Sequence, residues 1–598
     1  MSKTNDVVIK IATVNGTGSA SANGLLMKAI FRMGIPVVGK NYFPSNIQGL
    51  PTWYEIRVTG EGHQARLERV DLMVAMNVQT YQKDLASLTP GGWFIYDSTW
   101  PRSKLLDRSD VTVLGVPLSR MCNEHFDTAR ARILMKNIAY VGVVAALLDI
   151  DLEIIRQLLN ETFGAKKHLI DSNIEAIHLG YDYAVQHYSC PLPVKVEKMD
   201  KTRDHIIIDG NTAAGLGCVY AGATVGAWYP ITPSTSLMDA YKRFCKMYRM
   251  EGDKKKFCIV QAEDELSAIG VVLGASWNGA RAFTPTSGPG ISLMSEFIGF
   301  AYFAELPAVI FDVQRTGPST GMPTRTQQCD LVSCAYASHG DTKHVLLFPA
   351  NPEECFYMAP KAFDLAERLQ TPVMVLSDLD IGMNDWMCPD LDWDDDYVPD
   401  KGKVLSAEDL ENMDAFYRYL DVDGDGIPYR TLPGVHPKGA YFTRGSGHSK
   451  YGAYTEDADE YQEVVDRLLV KWETARNLVP EPEIEYSKFN KSAVISFGSC
   501  DGAVKEALIT LKKKNVGLNY CRVKAFPFSD AVKEFIDQHD YIYVVEQNRD
   551  AQFRTLLVLD IEAEASKLIP VLHYKGLPIS ADFVARRVLE EIARGQAA

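Results

Sequence analysis

Short apolar runs that end in a polar turn and lead directly into a helical stretch recur along this chain in three blocks, and that alternation restricts it to a small set of α/β architectures. The first block opens with VVIKIATV, a glycine-bearing turn NGTGSASANG and the helical stretch LLMKAIFRMG, and further strand-like runs follow at DLMVAMN, GGWFIYD and DVTVLGV. The second carries HIIIDG, ATVGAWYP, FCIVQA, RAFTPTS, PAVIFDVQR and PVMVLSD, separated by helices such as EDELSAIGVVLGASW and ISLMSEFIGFAYFAE. Apolar runs this dense suit a parallel sheet covered on both faces. The third has SAVISFGS, VGLNYCRV, YIYVVEQN and IPVLHYK and ends in DFVARRVLEEIARG. The expected fold class is multidomain α/β, with three doubly wound domains and an irregular insert before the last.

A chain of 598 residues is too long for one hydrophobic core. The polar connector KVEKMDKTRDH separates a first domain, 1–194, from a second, 206–380, with 195–205 as the linker. Over 381–487 the pattern lapses into Asp-, Gly- and Pro-rich segments such as DLDWDDDYVPDKGK, broken by one helix around 455–476, and a third domain spans 488–598.

Sixty-two Lys and Arg against 77 Asp and Glu give a formal charge of -15, which opposes binding to phosphate backbones and excludes nucleic acid as an expected partner. The start, MSKTNDVVIK, lacks the apolar stretch of a signal peptide, and the best apolar run, Ile138 to Ile150, is shorter than a bilayer span requires. A cytoplasmic protein with no membrane partner is expected. The 11 cysteines are dispersed, with Cys329 and Cys334 the closest pair and no C-x-x-C, so the chain shows no iron–sulfur or zinc motif of its own and its thiols are expected reduced and mostly buried.

In open α/β sheets ligands sit beyond the carboxyl ends of the strands, which gives weight to the polar residues that follow them. Four such turns stand out in the second block. YPITPST carries Thr232 and Ser234; the acidic EDE places Glu265 in a first helical turn; TPTSGPG brings Thr286 and Ser287 to a helix start; RTGPSTGMPT carries Arg315 and leads to Arg325. Each also has an ordinary reading: Ser234 and Thr235 as helix caps, Glu263, Asp264 and Glu265 as acids suited to a helix dipole, TSGPG as a plain turn. Their joint occurrence is what favours a site.

YPITPSTSLMDA, QAEDELSAIGVVLGASWNGARAFTPTSGPGISLMSE and QRTGPSTGMPTRTQQCDL together resemble the pyrimidine-binding domain of the alpha subunit of 2-oxoacid:ferredoxin oxidoreductases. GPSTGMPT is closer to the 2-oxoglutarate branch than to the pyruvate branch, and FPSNIQGLPTWYEIRV in the first domain is similar to the family's gamma component, here fused in front. The third domain resembles the C-terminal domain of transketolase-like enzymes, for which packing is the simplest role. The resemblance implies thiamine diphosphate activated by a carboxyl group, matched here by Glu265, with Arg315 and Thr232 gripping the carboxylate end of a 2-oxoacid. Tyr229, Pro230, Ile231, Thr286 and Ser287 are expected against the cofactor, and Arg325, with Thr324, is the candidate second contact for a dicarboxylate. The reaction implied converts 2-oxoglutarate and CoA to succinyl-CoA and CO2, or the reverse, with electrons passed to ferredoxin. Competing readings are the same chemistry on pyruvate, branched-chain or aromatic 2-oxoacids, and a noncatalytic acyl-CoA-binding scaffold.

The GDG in DVDGDGIPYR opens the magnesium and diphosphate motif of thiamine enzymes, but no asparagine occurs between Gly426 and Asn477, so the motif fails. The same stretch imitates a calcium loop at Asp421, Asp423, Asp425 and Gly426, yet Leu432 stands where a bidentate Glu is needed, and a hydrogen-bonded turn is the better reading. In NGTGSASANG, Gly16 and Gly18 fit a dinucleotide fingerprint but Ser21 takes the place of its third glycine, which discounts NAD. With the pyrimidine-side residues present and the diphosphate motif and cluster cysteines absent, the family pattern implies a beta-type partner subunit carrying magnesium and an iron–sulfur cluster, a shared thiamine site, and a dimer of alpha-beta units.

Overall fold

The computed structural model describes residues 3–45, 49–100, 106–487 and 490–597. Residues 46–48 of the motif FPSNIQGLPTWYEIRV lie outside them. The chain forms two compact units: Met1–Ile208 with Asn384–Asp390 and Ser580–Asp582, and Asp209–Met383 with Leu391–Ile579 and Phe583–Ala598.

The first unit is built on a six-stranded sheet. Its strands are β1 (Asp6–Val14), β2 (Val37–Tyr42), β3 (Pro51–Thr59), β4 (Leu72–Ala75), β5 (Trp93–Asp97) and β6 (Thr112–Val116), in the order β2-β3-β1-β4-β5-β6. Helix α1 (Ser19–Arg32) follows β1. β1, β4, β5 and β6 run parallel, as the alternation predicts, whereas β3 runs antiparallel to both β1 and β2. The sheet is therefore mixed. Periodicity misses β2 and β3 because Lys40, Glu55 and Arg57 interrupt their apolar pattern, yet all three are buried. They are tolerated because they are matched: the Lys40 ammonium lies 3.7 Å from the Trp386 ring centre, and Arg66 stands 3.6 Å from Glu55.

The apolar run from Ile138 belongs to a longer helix than its sequence suggests, α2 (Ala129–Leu148), 20 residues long. Among the described residues it is the one helix with the length and composition to cross a membrane, but 72% of its apolar window is buried inside this unit. It packs against α1 and α4 (Lys167–His187), which also take α3 (Leu152–Phe163), and the α2–α4 crossing is tight enough to require glycine. A Cβ on Gly142 would lie 2.0 Å from the Ile177 carbonyl oxygen, and one on Gly180 would lie 1.9 Å from that of Ala139. The backbones touch where the side chains are missing.

HIIIDG reads locally as a strand of the second sheet. Instead His205–Ile208 pairs antiparallel with Trp386–Pro389 in a separate two-stranded ribbon of the first unit. Its partner is nonlocal, and no local pattern discloses that.

The second unit contains two sheets. The larger has seven strands in the order β8-β7-β9-β10-β12-β11-β16, from β7 (Val225–Trp228), β8 (Cys258–Gln261), β9 (Ala282–Thr286), β10 (Ala308–Gln314), β11 (Val345–Leu347) and β12 (Pro372–Asp378). These six are parallel to one another. The smaller comprises β13 (Glu483–Glu485), β14 (Ser492–Phe497), β15 (Asn519–Val523), β17 (Tyr541–Glu546) and β18 (Leu568–Leu572), ordered β13-β15-β14-β17-β18 and parallel apart from β13. Between β15 and β17 the chain lends β16 (Ala525–Phe526) to the larger sheet, antiparallel to β11. The third block is thus laced into the second.

A buried polar network strengthens that lacing. Gln328 N donates to the Gln547 carbonyl at 2.8 Å while Gln547 N donates to Gln328 Oε1 at 3.2 Å. Ser499 Oγ donates to Asp378 at the end of β12, and burial raises that carboxyl to about 6. The intervening 381–487 stretch is largely irregular; it gives Trp386–Pro389 and β13 to sheets, and side-chain hydrogen bonds and ion pairs fix other parts of it. Arg281 Nε donates to Glu367 at 2.7 Å, and its Nη1 to Tyr397 Oη at 2.8 Å. The fully buried Glu305 takes Lys471 Nζ at 2.8 Å and Arg467 Nη1 at 3.0 Å from helix α5 (Ala458–Arg476). Breaking a buried pair of this kind costs about 3–5 kcal/mol.

The aspartate turn holds its own cation. Asp421 Oδ1 accepts from Gly424 N at 2.9 Å and Oδ2 from Gly426 N at 2.8 Å, while Lys403 Nζ sits 2.6 Å from Asp423 and 2.8 Å from Asp425. An ammonium pairs two of the three acids that a calcium loop would turn to its ion.

Candidate active site

Register decides which residues meet. Trp228 of β7 pairs with Gln261 of β8, Gly226 with Phe283 of β9, and Thr286 of β9 with Asp312 of β10. Four parallel strands therefore end at one level, and the turns that follow them emerge at one sheet edge.

After β7, Tyr229 and Pro230 are exposed and Ile231 and Thr232 half-buried. The Ile231 carbonyl accepts from Ser234 Oγ at 3.1 Å and Thr235 Oγ1 at 3.2 Å. Those hydroxyls fasten the turn, and neither caps the helix Thr235–Tyr248. After β8, Asp264 takes the capping role by accepting from Ser267 N at 2.7 Å. Glu265 is thereby the first residue of the helix Glu265–Trp277, and it is 5% exposed.

After β9, Thr286 and Ser287 are fully buried, and the Ser287 hydroxyl has no hydrogen-bond partner among the described residues. The helix Gly288–Phe303 starts here and turns against both preceding residues only because position 290 is glycine. A Cβ there would lie 1.9 Å from Thr286 Oγ1 and 2.9 Å from Glu265 Cγ. Gly290 is what allows Thr286 and Glu265 to lie against one another's helix and strand ends.

After β10, Arg315 is 7% exposed and donates from Nη1 to the Thr232 carbonyl at 2.7 Å. Its Nε is buried without a partner among the described residues. Burial lowers its pKa, and the charges of Asp330 and Glu265 oppose that shift. One guanidinium thus faces two acids and a carbonyl. Thr232, Glu265, Thr286, Ser287 and Arg315 converge. Arg325 and Thr324 pair with each other instead, Arg325 Nη1 donating to the Thr324 carbonyl at 2.7 Å and to its Oγ1 at 3.2 Å. They remain tied to the same hairpin, because Thr316 N donates to the Arg325 carbonyl at 2.9 Å.

Beside Arg315 opens a cavity of about 810 Å³, walled by Gly288, Ser292, Arg315 and Asp330 from the larger sheet's side and by Asn548, Gln552 and Tyr574 from the smaller. Sequence reasoning assigns the third block no part in the site, and these three residues carry no motif that could have flagged them. The other residue it passes over is Asp330, which lies within the motif QRTGPSTGMPTRTQQCDL. Its carboxyl abuts Gly288, 2.7 Å from where a Cβ would stand, and is buried against Asp312. Burial raises both carboxyls, Asp330 to about 6 and Asp312 well above the usual range, the Asp330 charge adding to the rise at Asp312.

The family described as pyruvate flavodoxin/ferredoxin oxidoreductase, thiamine diphosphate-binding, matches residues 216–411, and pyruvate ferredoxin/flavodoxin oxidoreductase matches residues 8–183. Subunit alpha of 2-oxoacid:ferredoxin oxidoreductase 2 from Aeropyrum pernix is 29% identical, with 98% of each chain covered. The 2-oxoglutarate synthase subunit KorA from Archaeoglobus fulgidus is 33% identical over 57% of this chain and 88% of its own, and that from Methanothermobacter thermautotrophicus 31% identical over 58% and 89%. Among solved structures, a 2-oxoglutarate:ferredoxin oxidoreductase from Magnetococcus marinus, with 2-oxoglutarate, coenzyme A and succinyl-CoA bound, superposes with a TM-score of 0.88 at 27% identity, covering 98% of this chain and 100% of that one. With the strand-end residues converged as described, these matches make the chain a member of the 2-oxoacid:ferredoxin oxidoreductase family, an oxidoreductase of the alpha-subunit type.

Proposed function

We propose that this chain supplies the pyrimidine-side half of a thiamine diphosphate site in an enzyme that converts 2-oxoglutarate and CoA to succinyl-CoA and CO2, or the reverse, with electrons exchanged with ferredoxin. The observation that carries this reading is Glu265, a carboxyl buried in the first turn of its helix, against Thr286 across Gly290 and within the field of Arg315. The fit to the cofactor rests on the same residues: the Ser287 hydroxyl has no partner among the described residues, and Gly290 lets the Thr286 hydroxyl and the Glu265 side chain lie together, polar groups that suit a flat polar ring. Thiamine diphosphate held there would supply nucleophilic carbon chemistry for a 2-keto group.

The residues of this chain do the rest of the work assigned to them here. Glu265 holds a proton at a carboxyl oxygen for a ring nitrogen. Arg315, fixed by Thr232, offers its unpartnered Nε to the substrate carboxylate without donating a proton to it. The exposed Tyr229 and Pro230 mark the open side, which a beta-type subunit with magnesium and an iron–sulfur cluster would cover. A dimer of alpha-beta units follows from the preference for twofold assembly. Arg325, with Thr324, is the second contact proposed for a dicarboxylate. The 2-oxoglutarate branch draws support from the two KorA relatives and the Magnetococcus marinus enzyme.

The test is anaerobic. The chain is coexpressed with its neighbouring beta-type subunit, and viologen reduction is followed with 2-oxoglutarate or pyruvate, CoA and thiamine diphosphate. CoA-dependent reduction that prefers 2-oxoglutarate is the expected result. Preference for pyruvate or another 2-oxoacid would overturn the substrate and the role of Arg325, and no reduction with any 2-oxoacid would overturn the reaction.

A further inference from the structure

Asp312 and Asp330 form a buried carboxyl pair that the mechanism above leaves unused, and Asp330 lines the cavity. Asp312, on β10, is fully buried, and its Oδ2 accepts from Cys334 Sγ at 3.6 Å. Asp330 stands just ahead of the short helix Leu331–Ala335 without capping it, and faces Asp312 and Gly288 instead. Cys329 Sγ lies 3.7 Å from Asp330 Oδ1 and 3.3 Å from the Arg315 carbonyl. Asp312 Oδ1 and Asp330 Oδ2 are both buried with no donor among the described residues.

An ionised carboxylate only accepts hydrogen bonds, so two of them in contact without a donor would each leave a buried acceptor unmet. A proton shared between them satisfies both. The charged or titratable groups around the pair are Cys334 and Cys329, Arg315 at the end of β10, and Glu265 facing Arg315 from its own helix; β9 and the helix Gly288–Phe303 contribute Thr286 and Gly288, and the far side of the cavity carries Tyr574 and Arg549, the latter paired with Asp550 at 2.8 Å. Arg315 is the cation that acts on Asp330, and it lines the cavity together with it, whereas Arg549 is paired with Asp550.

We propose that Asp312 and Asp330 hold one proton between them, and that binding of an anion at Arg315 is coupled to uptake of a second. This rests on the reading of Arg315 as the substrate cation. An anion placed on Arg315 neutralises the charge that favours ionised Asp330 and adds a repulsion, so the pair binds its second proton more tightly. By linkage the protonated pair binds the anion more tightly in turn. Affinity for a 2-oxoacid therefore rises as the pH falls through the region where Asp330 titrates.

The test uses the assembled holoenzyme and oxalate, a probe with adjacent carboxylate oxygens. Titration calorimetry at about pH 6.5 in buffers of different ionisation enthalpy is expected to show net proton uptake of up to about one per site. Asp330→Asn is expected to abolish that uptake and to lower KM for 2-oxoglutarate about three- to ten-fold at about pH 7.5. Absence of uptake in the unmodified enzyme, or uptake that persists in Asp330→Asn, would overturn the proposal. Arg315→Ala separates it from its premise. Loss of oxalate binding there, with no proton uptake in the unmodified enzyme, sinks the coupling alone; unchanged oxalate binding sinks the role of Arg315 and the coupling with it.

Discussion

Arg315 Nη1 donates to the main-chain carbonyl of Thr232 at 2.7 Å, so the residue that ends β10 is latched to the turn that ends β7. The latch uses one end of a planar fork and leaves the rest of it for a ligand. Arg315→Ala is expected to lower kcat/KM for the 2-oxoacid by about 10- to 150-fold, the worth of one charge-assisted hydrogen bond. Arg315→Lys should recover only part of that, because a single ammonium cannot serve the Thr232 carbonyl and a carboxylate with the same geometry. Steady-state kinetics of the assembled enzyme give both values, and full activity in the lysine variant would contradict the fork.

Glu265→Gln keeps the shape of the helix start, since Asp264 does the capping. It removes the exchangeable carboxyl proton. Turnover is expected to fall by about 10²- to 10⁴-fold with the melting temperature little changed. A variant that retains full thiamine-dependent turnover would remove Glu265 from the mechanism.

Gly290→Ala places a methyl 1.9 Å from Thr286 Oγ1 in a wall that is already buried. Overpacking of this kind costs about 1–3 kcal/mol, and here the displaced groups are Thr286 and Glu265. Lower melting temperature and weaker thiamine diphosphate binding are expected together. Gly274→Ala is the control: it lies in the helix Glu265–Trp277, nothing stands within 4 Å of the added methyl, and a gain of up to about 1 kcal/mol is expected.

His344 is fully buried and bonds the Ala337 carbonyl through Nε2 at 2.8 Å. Burial lowers its pKa to about 4, against the opposing effect of that hydrogen bond. The unfolded chain binds this proton at about pH 6.5, so the contribution is present above that value and is lost as the pH falls from about 6.5 towards 4. The loss amounts to about 3 kcal/mol below pH 4. His344→Gln keeps a donor for Ala337 and should remove this part of the acid sensitivity. Denaturation midpoints measured across that window test it, and a difference between the two proteins that stays flat with pH would refute it.

The parallel strands of the second unit are legible in the sequence because a strand covered on both faces has to be apolar throughout, as AVIFDVQ and PVMVLSD nearly are. The converging turns are legible for the same reason: once the strands are placed, whatever follows them comes to one edge. What escapes local pattern is what tertiary partners decide. Lys40, Glu55 and Arg57 disguise β2 and β3, and the three residues of β11 are too few to show a period. Asp312 and Asp330 are unremarkable singly, and only the fold brings their carboxyls together. The membrane-length helix α2 shows the opposite case, in which composition alone is silent about the glycine-lined groove that buries it.

Lys403 has a consequence for how this protein meets its surroundings. A loop whose aspartates wait for a divalent ion is only as ordered as the supply of that ion permits, and a chelator dissolves it. Here the counter-ion is covalently part of the chain, bonded 2.6 Å from Asp423 and 2.8 Å from Asp425. The turn carries its own electrolyte, so two of its acids are neutralised from within the chain.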